Sequence, residues 1–149
     1  MPPAETGGMA ASTDTLRVLV AEDDRAIRRL MGMTLRRASI EVHLTEDGAE
    51  ALAALQQSPW NAIVLDLMMP EVNGWEVVRW LGLHPEHRPP CVVVVSAAGP
   101  DVLRDLDPTI VNAIFFKPFD VVQLGEYLQK AMQHDGEDRR RARVVKSIT

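Results

Sequence analysis

The chain has 149 residues, 46% of them hydrophobic and 25% charged, which is enough for one globular domain with a proper core. Its formal net charge of −5 is unevenly spread: residues 1–138 hold 11 basic and 21 acidic groups, residues 139–149 five basic and none acidic. An acidic body argues against a general nucleic-acid binder, no apolar run is long enough to span a bilayer, and the N-terminus lacks the basic-then-apolar order of a secretion signal; a cytoplasmic protein without membrane attachment is expected.

Residues 1–15, rich in Pro, Gly, Ala, Ser and Thr, have no periodic apolar pattern and read as a disordered leader. Arg17-Val18-Leu19-Val20-Ala21 is a short β-branched strand that ends on Glu22-Asp23-Asp24, after which Ile27, Leu30, Met31, Met33, Thr34 and Leu35 recur at helical spacing. A second strand over 41–44 is followed by a helix over 48–57 that Asp47 caps. Then comes Ala62-Ile63-Val64-Leu65-Asp66, four apolar residues without alternation, as suits a strand buried on both faces. Met69-Pro70 and Asn73-Gly74 turn the chain away from the sheet, so Asp66 stands at a strand's carboxyl end. Ligands bind at that edge of open α/β sheets, although a lone Asp there also suits a helix cap.

A helix over 75–83 stops at His84-Pro85, and Cys91-Val92-Val93-Val94-Val95 is another fully apolar strand, delivering Ser96 to its end. Asp107-Pro108 leaves room for only a short helix over 101–106. A fifth strand, 114–116, ends at Lys117-Pro118, and 121–133 is an amphipathic helix. Residues 135–149 form a charge-segregated tail, too polar to pack and expected to be flexible. Five βα units imply one α/β domain over 16–134, with a parallel sheet and helices on both faces.

The same edge thus receives Glu22 and Asp23 from the first strand, Asp66 from the third, Ser96 from the fourth and Lys117 from the fifth. Three carboxylates held together repel one another, so either some protonate or a cation sits among them. Mg²⁺ takes oxygen ligands, uses one or two carboxylates and leaves other positions to water and phosphate oxygens, which points to phosphoryl chemistry.

These residues carry a resemblance. The ordered set Val18-Leu19-Val20-Ala21-Glu22-Asp23-Asp24, Asp66-Leu67-Met68-Met69-Pro70 with Asn73-Gly74, Ser96-Ala97 and Lys117-Pro118-Phe119 resembles the receiver domain of two-component response regulators, single-domain chemotaxis regulators included, over about residues 17–133. The resemblance implies a flavodoxin-like doubly wound (βα)5 fold with a five-stranded parallel sheet in the order 2-1-3-4-5. It further implies Asp66 as phosphoacceptor from a sensor histidine kinase, a histidine phosphotransfer protein or a small acyl phosphate. Mg²⁺ would be held by Asp23, Asp66 and the Met68 backbone carbonyl, with Glu22 acting largely through water. Lys117 would neutralise a phosphoryl oxygen, Ser96 would hydrogen-bond it, and Lys117-Pro118 would be a cis peptide. Such a protein signals by protein–protein contact as a monomer or weak dimer, without direct DNA binding, and assists its own phosphorylation and dephosphorylation rather than acting as a dedicated enzyme.

The chain departs from that pattern in two places. Residues 97–116 contain Gly99-Pro100 and Asp107-Pro108, so the fourth helix is expected to be short or displaced, and Ile114 stands where family members often carry Tyr or Phe. A receiver-fold binding module without phosphotransfer is the second reading, weighed down by the complete set of acids, Ser and Lys. A Mg²⁺-dependent hydrolase would need a second Asp two residues after the nucleophile, where this chain has Met68. A linker to a DNA-binding domain would need a further apolar pattern after the basic tail. His84 and His87 lack a third metal ligand, Trp60, Trp75 and Trp80 fit packing better than base stacking, and Cys91 reads as a small buried apolar residue.

Overall fold

The computed structural model describes residues 15–133 and 143–145. The leader up to residue 14 and the rest of the tail lie outside the described residues. The strands are β1 (Leu16–Ala21), β2 (Ile40–Thr45), β3 (Ala62–Asp66), β4 (Cys91–Ser96) and β5 (Ala113–Phe116). The α-helices are α1 (Arg25–Arg37), α2 (Gly48–Gln57), α3 (Gly74–Leu83) and α4 (Val121–Gln133). Between β4 and β5 the expected short helix is a 3-10 segment, Pro100–Asp105. All strand pairs are parallel, and the five expected strands run in the order 2-1-3-4-5, the flavodoxin-like arrangement.

The sheet has one more member than the sequence pattern suggests. Arg143–Val145 forms a sixth strand, β6, parallel to β5 with Val144 opposite Ile114. This part of the tail pairs because the free edge of β5 offers unbonded N–H and C=O groups, and Val144-Val145 is a β-branched pair within an otherwise polar stretch.

Local chemistry sets the helix starts. Asp24 accepts from Ile27 N at 3.0 Å, Asp47 from Glu50 N at 2.8 Å, and Asn73 from Glu76 N at 2.9 Å with the Glu76 carboxylate returning to Asn73 N at 2.9 Å, a complete capping box. Alternate residues of the central strands feed two separate cores. Leu19, Ile63, Leu65, Val92 and Val94 pack under α2 and α3, while Val18, Val20, Val64, Val93, Val95 and Phe115 pack under α1 and α4. Burial of both faces explains why β3 and β4 read as unbroken apolar runs. Ile114 is buried in the first core beside Leu106 and Ile110. No helix among the described residues is long and apolar enough to cross a membrane.

Two glycines let backbone approach backbone at the edge where Asp66 stands. A Cβ at Gly74 would lie 2.4 Å from Asp66 O and 2.6 Å from Leu67 Cα, and one at Gly48 would lie 2.1 Å from Val72 O. Each glycine also donates a hydrogen bond there, Gly74 N to Leu67 O at 2.9 Å and Gly48 N to Val72 O at 3.1 Å. The third strand's exit is thereby clamped against the start of α3.

Candidate functional site

Asp66 ends β3 with its side chain only 3% exposed. Its Oδ1 accepts from Met68 N at 3.2 Å, and its Oδ2 lies 3.4 Å from Lys117 Nζ. Glu22, immediately after β1, is fully buried. Lys117 Nζ lies 2.9 Å from its Oε1 and 3.1 Å from its Oε2, so the ammonium straddles both oxygens of the carboxylate. Asp23 is exposed, yet Glu22, Asp23 and Asp66 each offer a carboxylate oxygen within 4.8 Å of the others. The cis peptide Lys117-Pro118 is present.

The sheet supplies these positions. Ala21 pairs with Leu65, and Asp66 with Val95, so the ends of β1, β3 and β4 are level. Lys117 is tied to β4 by its own N–H, which donates to Ser96 O at 2.7 Å. The Ser96 hydroxyl, wholly buried, accepts from Ala98 N at 3.0 Å and so holds the loop that leaves β4. Glu22 N donates to Thr45 O at 3.1 Å, and Thr45 Oγ1 donates to Val20 O at 2.7 Å, which fixes the first acidic residue against β2.

The electrostatics follow from burial. Loss of water pushes the Asp66 carboxyl up from 3.8 to about 7; the charge of Glu22 and its hydrogen bond push the same way, against the pull of Lys117 and the Met68 N–H. Burial disfavours the Lys117 ammonium, but its hydrogen bond to Glu22 and the charges of Glu22 and Asp66 outweigh that, and its proton is held more tightly than an ordinary lysine's. One ammonium thus contacts two of the three clustered carboxylates, Glu22 and Asp66. The surplus negative charge and the hard oxygen donors of three clustered carboxylates together fit a divalent cation of the Mg²⁺ type.

Every residue expected at this edge is brought to it, with Met68, 58% exposed, beside it. The pattern of acids did not reveal Arg28. Its Nη1 donates to Glu22 O at 2.9 Å and Asp23 O at 3.2 Å, and its Nη2 lies 4.0 Å from Glu46 Oε2. Arg25, Arg29, Arg36 and Arg37 share its helix, so residue type alone gives no sign of which one turns back.

A model of the response regulator receiver domain matches residues 18–129. The chain belongs to that family. Among its relatives, the transcriptional regulatory protein SrrA of Staphylococcus aureus is 34% identical over 87 residues, 58% of this chain and 35% of that protein. The match therefore spans about a third of the length of this relative. Among solved structures, the chemotaxis response regulator CheY4 of Vibrio cholerae is similar with a TM-score of 0.71 at 26% identity, covering 78% of this chain and 98% of that one. Response regulator protein TrrA of Thermotoga maritima, solved in complex with Mg(2+)-BeF, is similar with a TM-score of 0.68 at 25% identity, over 78% of this receiver and 98% of TrrA.

Proposed function

We propose that this receiver domain takes a phosphoryl group on Asp66 in a Mg²⁺-dependent reaction, with a sensor histidine kinase or histidine phosphotransfer protein as donor. The observation that carries the reading is the Asp66 carboxylate at a strand end, 3.4 Å from Lys117 Nζ and within 4.8 Å of oxygens from Glu22 and Asp23. Asp23, Asp66 and the Met68 backbone carbonyl would hold the ion, with Glu22 beside it. When bound, the ion supplies positive charge opposite the oxygens of the transferring group.

The chain's own residues do the rest. An Asp66 oxygen attacks phosphorus; the new O–P bond forms as the N–P bond of the phosphohistidine breaks, and the departing imidazole keeps the electron pair. Lys117, anchored through its N–H to Ser96 O, brings its ammonium to a phosphoryl oxygen without reorganising at the moment of transfer. Ser96 Oγ exchanges its contact with Ala98 N for one with the phosphoryl group, which couples the site to the loop after β4. The domain assists its own phosphorylation and dephosphorylation and is not a dedicated enzyme. As a cytoplasmic regulator, a monomer or weak dimer, it would pass the signal on by protein–protein contact and not by touching DNA.

Intact-mass spectrometry after incubation with acetyl phosphate and Mg²⁺ tests this. One added phosphoryl group, released by hydroxylamine and absent in Asp66→Asn, is expected. Equal phosphorylation of Asp66→Asn would place the acceptor elsewhere, and none in the wild type would leave a receiver-fold binding module.

A further inference from the structure

We infer that Arg28 is a positioning residue for the divalent cation: it shapes the site from behind, through the backbone, although its charge opposes the ion. The inference rests on the Mg²⁺ reading proposed above. The turn between β1 and α1 must present Glu22 inward and Asp23 to the ion while its own carbonyls find donors. Arg28 Nη1 bridges both carbonyls, Glu22 O at 2.9 Å and Asp23 O at 3.2 Å. The side chain that does this is itself mostly buried, 13% exposed, and begins from the first turn of α1, where Arg28 N donates to Asp24 O at 2.9 Å. Both bonds come from Nη1, which the planar guanidinium holds in place while Nη2 lies towards Glu46, so one side chain restrains the two successive peptide units from which both carboxylates project. Glu22 Oε2 adds a bond from Asp24 N at 3.1 Å, closing the turn around the same three residues.

A bystander arginine and a positioning arginine predict opposite signs. A cation this near a cluster of acids repels a divalent ion, so if charge were its whole effect, replacing Arg28 by a neutral residue would tighten binding, and Arg28→Lys would change nothing. If Arg28 holds the turn, both replacements weaken binding. Outer-sphere groups that orient metal ligands are worth about 10- to 100-fold in affinity, and a lysine ammonium, a point donor on a flexible stem, does not reproduce the two-carbonyl bridge.

The experiment is a titration of the whole chain with Mn²⁺, following the loss of the free-ion electron paramagnetic resonance signal, with Mg²⁺ as competitor. Wild type, Arg28→Gln, Arg28→Lys and Asp23→Asn are compared, the last setting the level without a complete site. Thermal midpoints of the same samples show that each variant is folded. About tenfold or greater weakening in both Arg28 variants, with folded protein, is the expected result. Unchanged affinity in Arg28→Lys or tighter binding in Arg28→Gln overturns the role of Arg28 while leaving the cation site standing. Wild-type binding no stronger than that of Asp23→Asn overturns the cation site itself, and the inference with it. Should Arg28→Gln not fold, Arg28→Lys, which keeps the charge and most of the length, decides alone.

Discussion

Alanine at Gly74 should be costly, and the cost can be worked from the contact between α3 and the end of β3. The new Cβ would lie 2.4 Å from Asp66 O and 2.6 Å from Leu67 Cα, where real Cβ contacts stay beyond 3.0 Å. Both obstructing atoms are backbone in a buried strand end, so the helix must retreat by several tenths of an ångström. Overpacking of this kind costs about 1–3 kcal/mol. The retreat also stretches the Gly74 N–Leu67 O bond of 2.9 Å, worth roughly 1 kcal/mol. Replacing glycine in a helix returns about 0.5–1 kcal/mol. The net is about 2 kcal/mol, or a thermal midpoint lower by roughly 6–10 °C in a domain of this size. Gly82→Ala is the control: its Cβ would meet Ile110 Cδ1 at 3.6 Å, an ordinary contact, so only the propensity gain remains and stability should rise by about 0.5–1 kcal/mol. Urea denaturation of the three proteins measures both. If the two alanines fell within about 0.5 kcal/mol of each other, close backbone approach would not be what selects glycine at Gly74.

Other perturbations follow from the same contacts. Because burial and Glu22 raise the Asp66 carboxyl from 3.8 to about 7, the folded, metal-free domain holds a proton that the unfolded chain releases, and stability should fall as pH rises across that window. Urea midpoints against pH should show this slope, and Asp66→Asn should flatten it and be more stable above pH 7 by on the order of 2 kcal/mol. Lys117→Ala leaves the buried Glu22 and Asp66 without their ammonium and should cost roughly 3 kcal/mol at pH 8 and less at pH 5, where Asp66 is protonated; an equal loss at both would show that the Asp66 contact adds little beside the closer one to Glu22. Lys117 itself contributes stability below 10.5 that is lost only as pH climbs past its raised value, well away from the Asp66 window. Ser39, just after α1, has φ 64°, a left-handed position that glycine occupies without strain, so Ser39→Gly should raise the thermal midpoint by a few degrees; a lower midpoint would mean the side chain stabilises the turn.

The unbroken apolar runs of β3 and β4, and the acids, serine and lysine that end the strands, were legible because strand burial and edge chemistry leave a one-dimensional trace. So was the cap at Asp47, where a side chain bonds a neighbour three residues on; Asn73 read only as part of a turn, and its capping box came from the structure. Arg28 left no such trace, since its bonds to Glu22 O and Asp23 O depend on how one turn of helix follows one turn of chain. Gly74 was readable as a turn residue but not as a point of backbone contact, because Asp66 O comes from a different element. Between β4 and β5 the prolines announced an interruption; that it takes 3-10 form, with Leu106 and Ile110 reaching the core after it, is set by tertiary packing. The pairing of Val144 with Ile114 lay hidden in a tail whose composition argues against any structure at all.

That last pairing has an unusual hand. The rightward steps from β2 to β3 and from β3 to β4 pass through α2 and α3 on one face of the sheet, while the leftward step from β1 to β2 passes through α1 on the other. The step from β5 to β6 also goes rightward, but its helix, α4, packs on the α1 face. Its sense is therefore left-handed, whereas parallel crossovers are right-handed in about 98% of cases. β6 is thus not a sixth βα unit continuing the winding but a clip laid along a finished edge, held by a three-residue ladder. Removing it leaves the five-stranded topology closed and uncovers β5, the strand that carries Lys117 at its end, as an edge on which an incoming strand would compete with the chain's own tail.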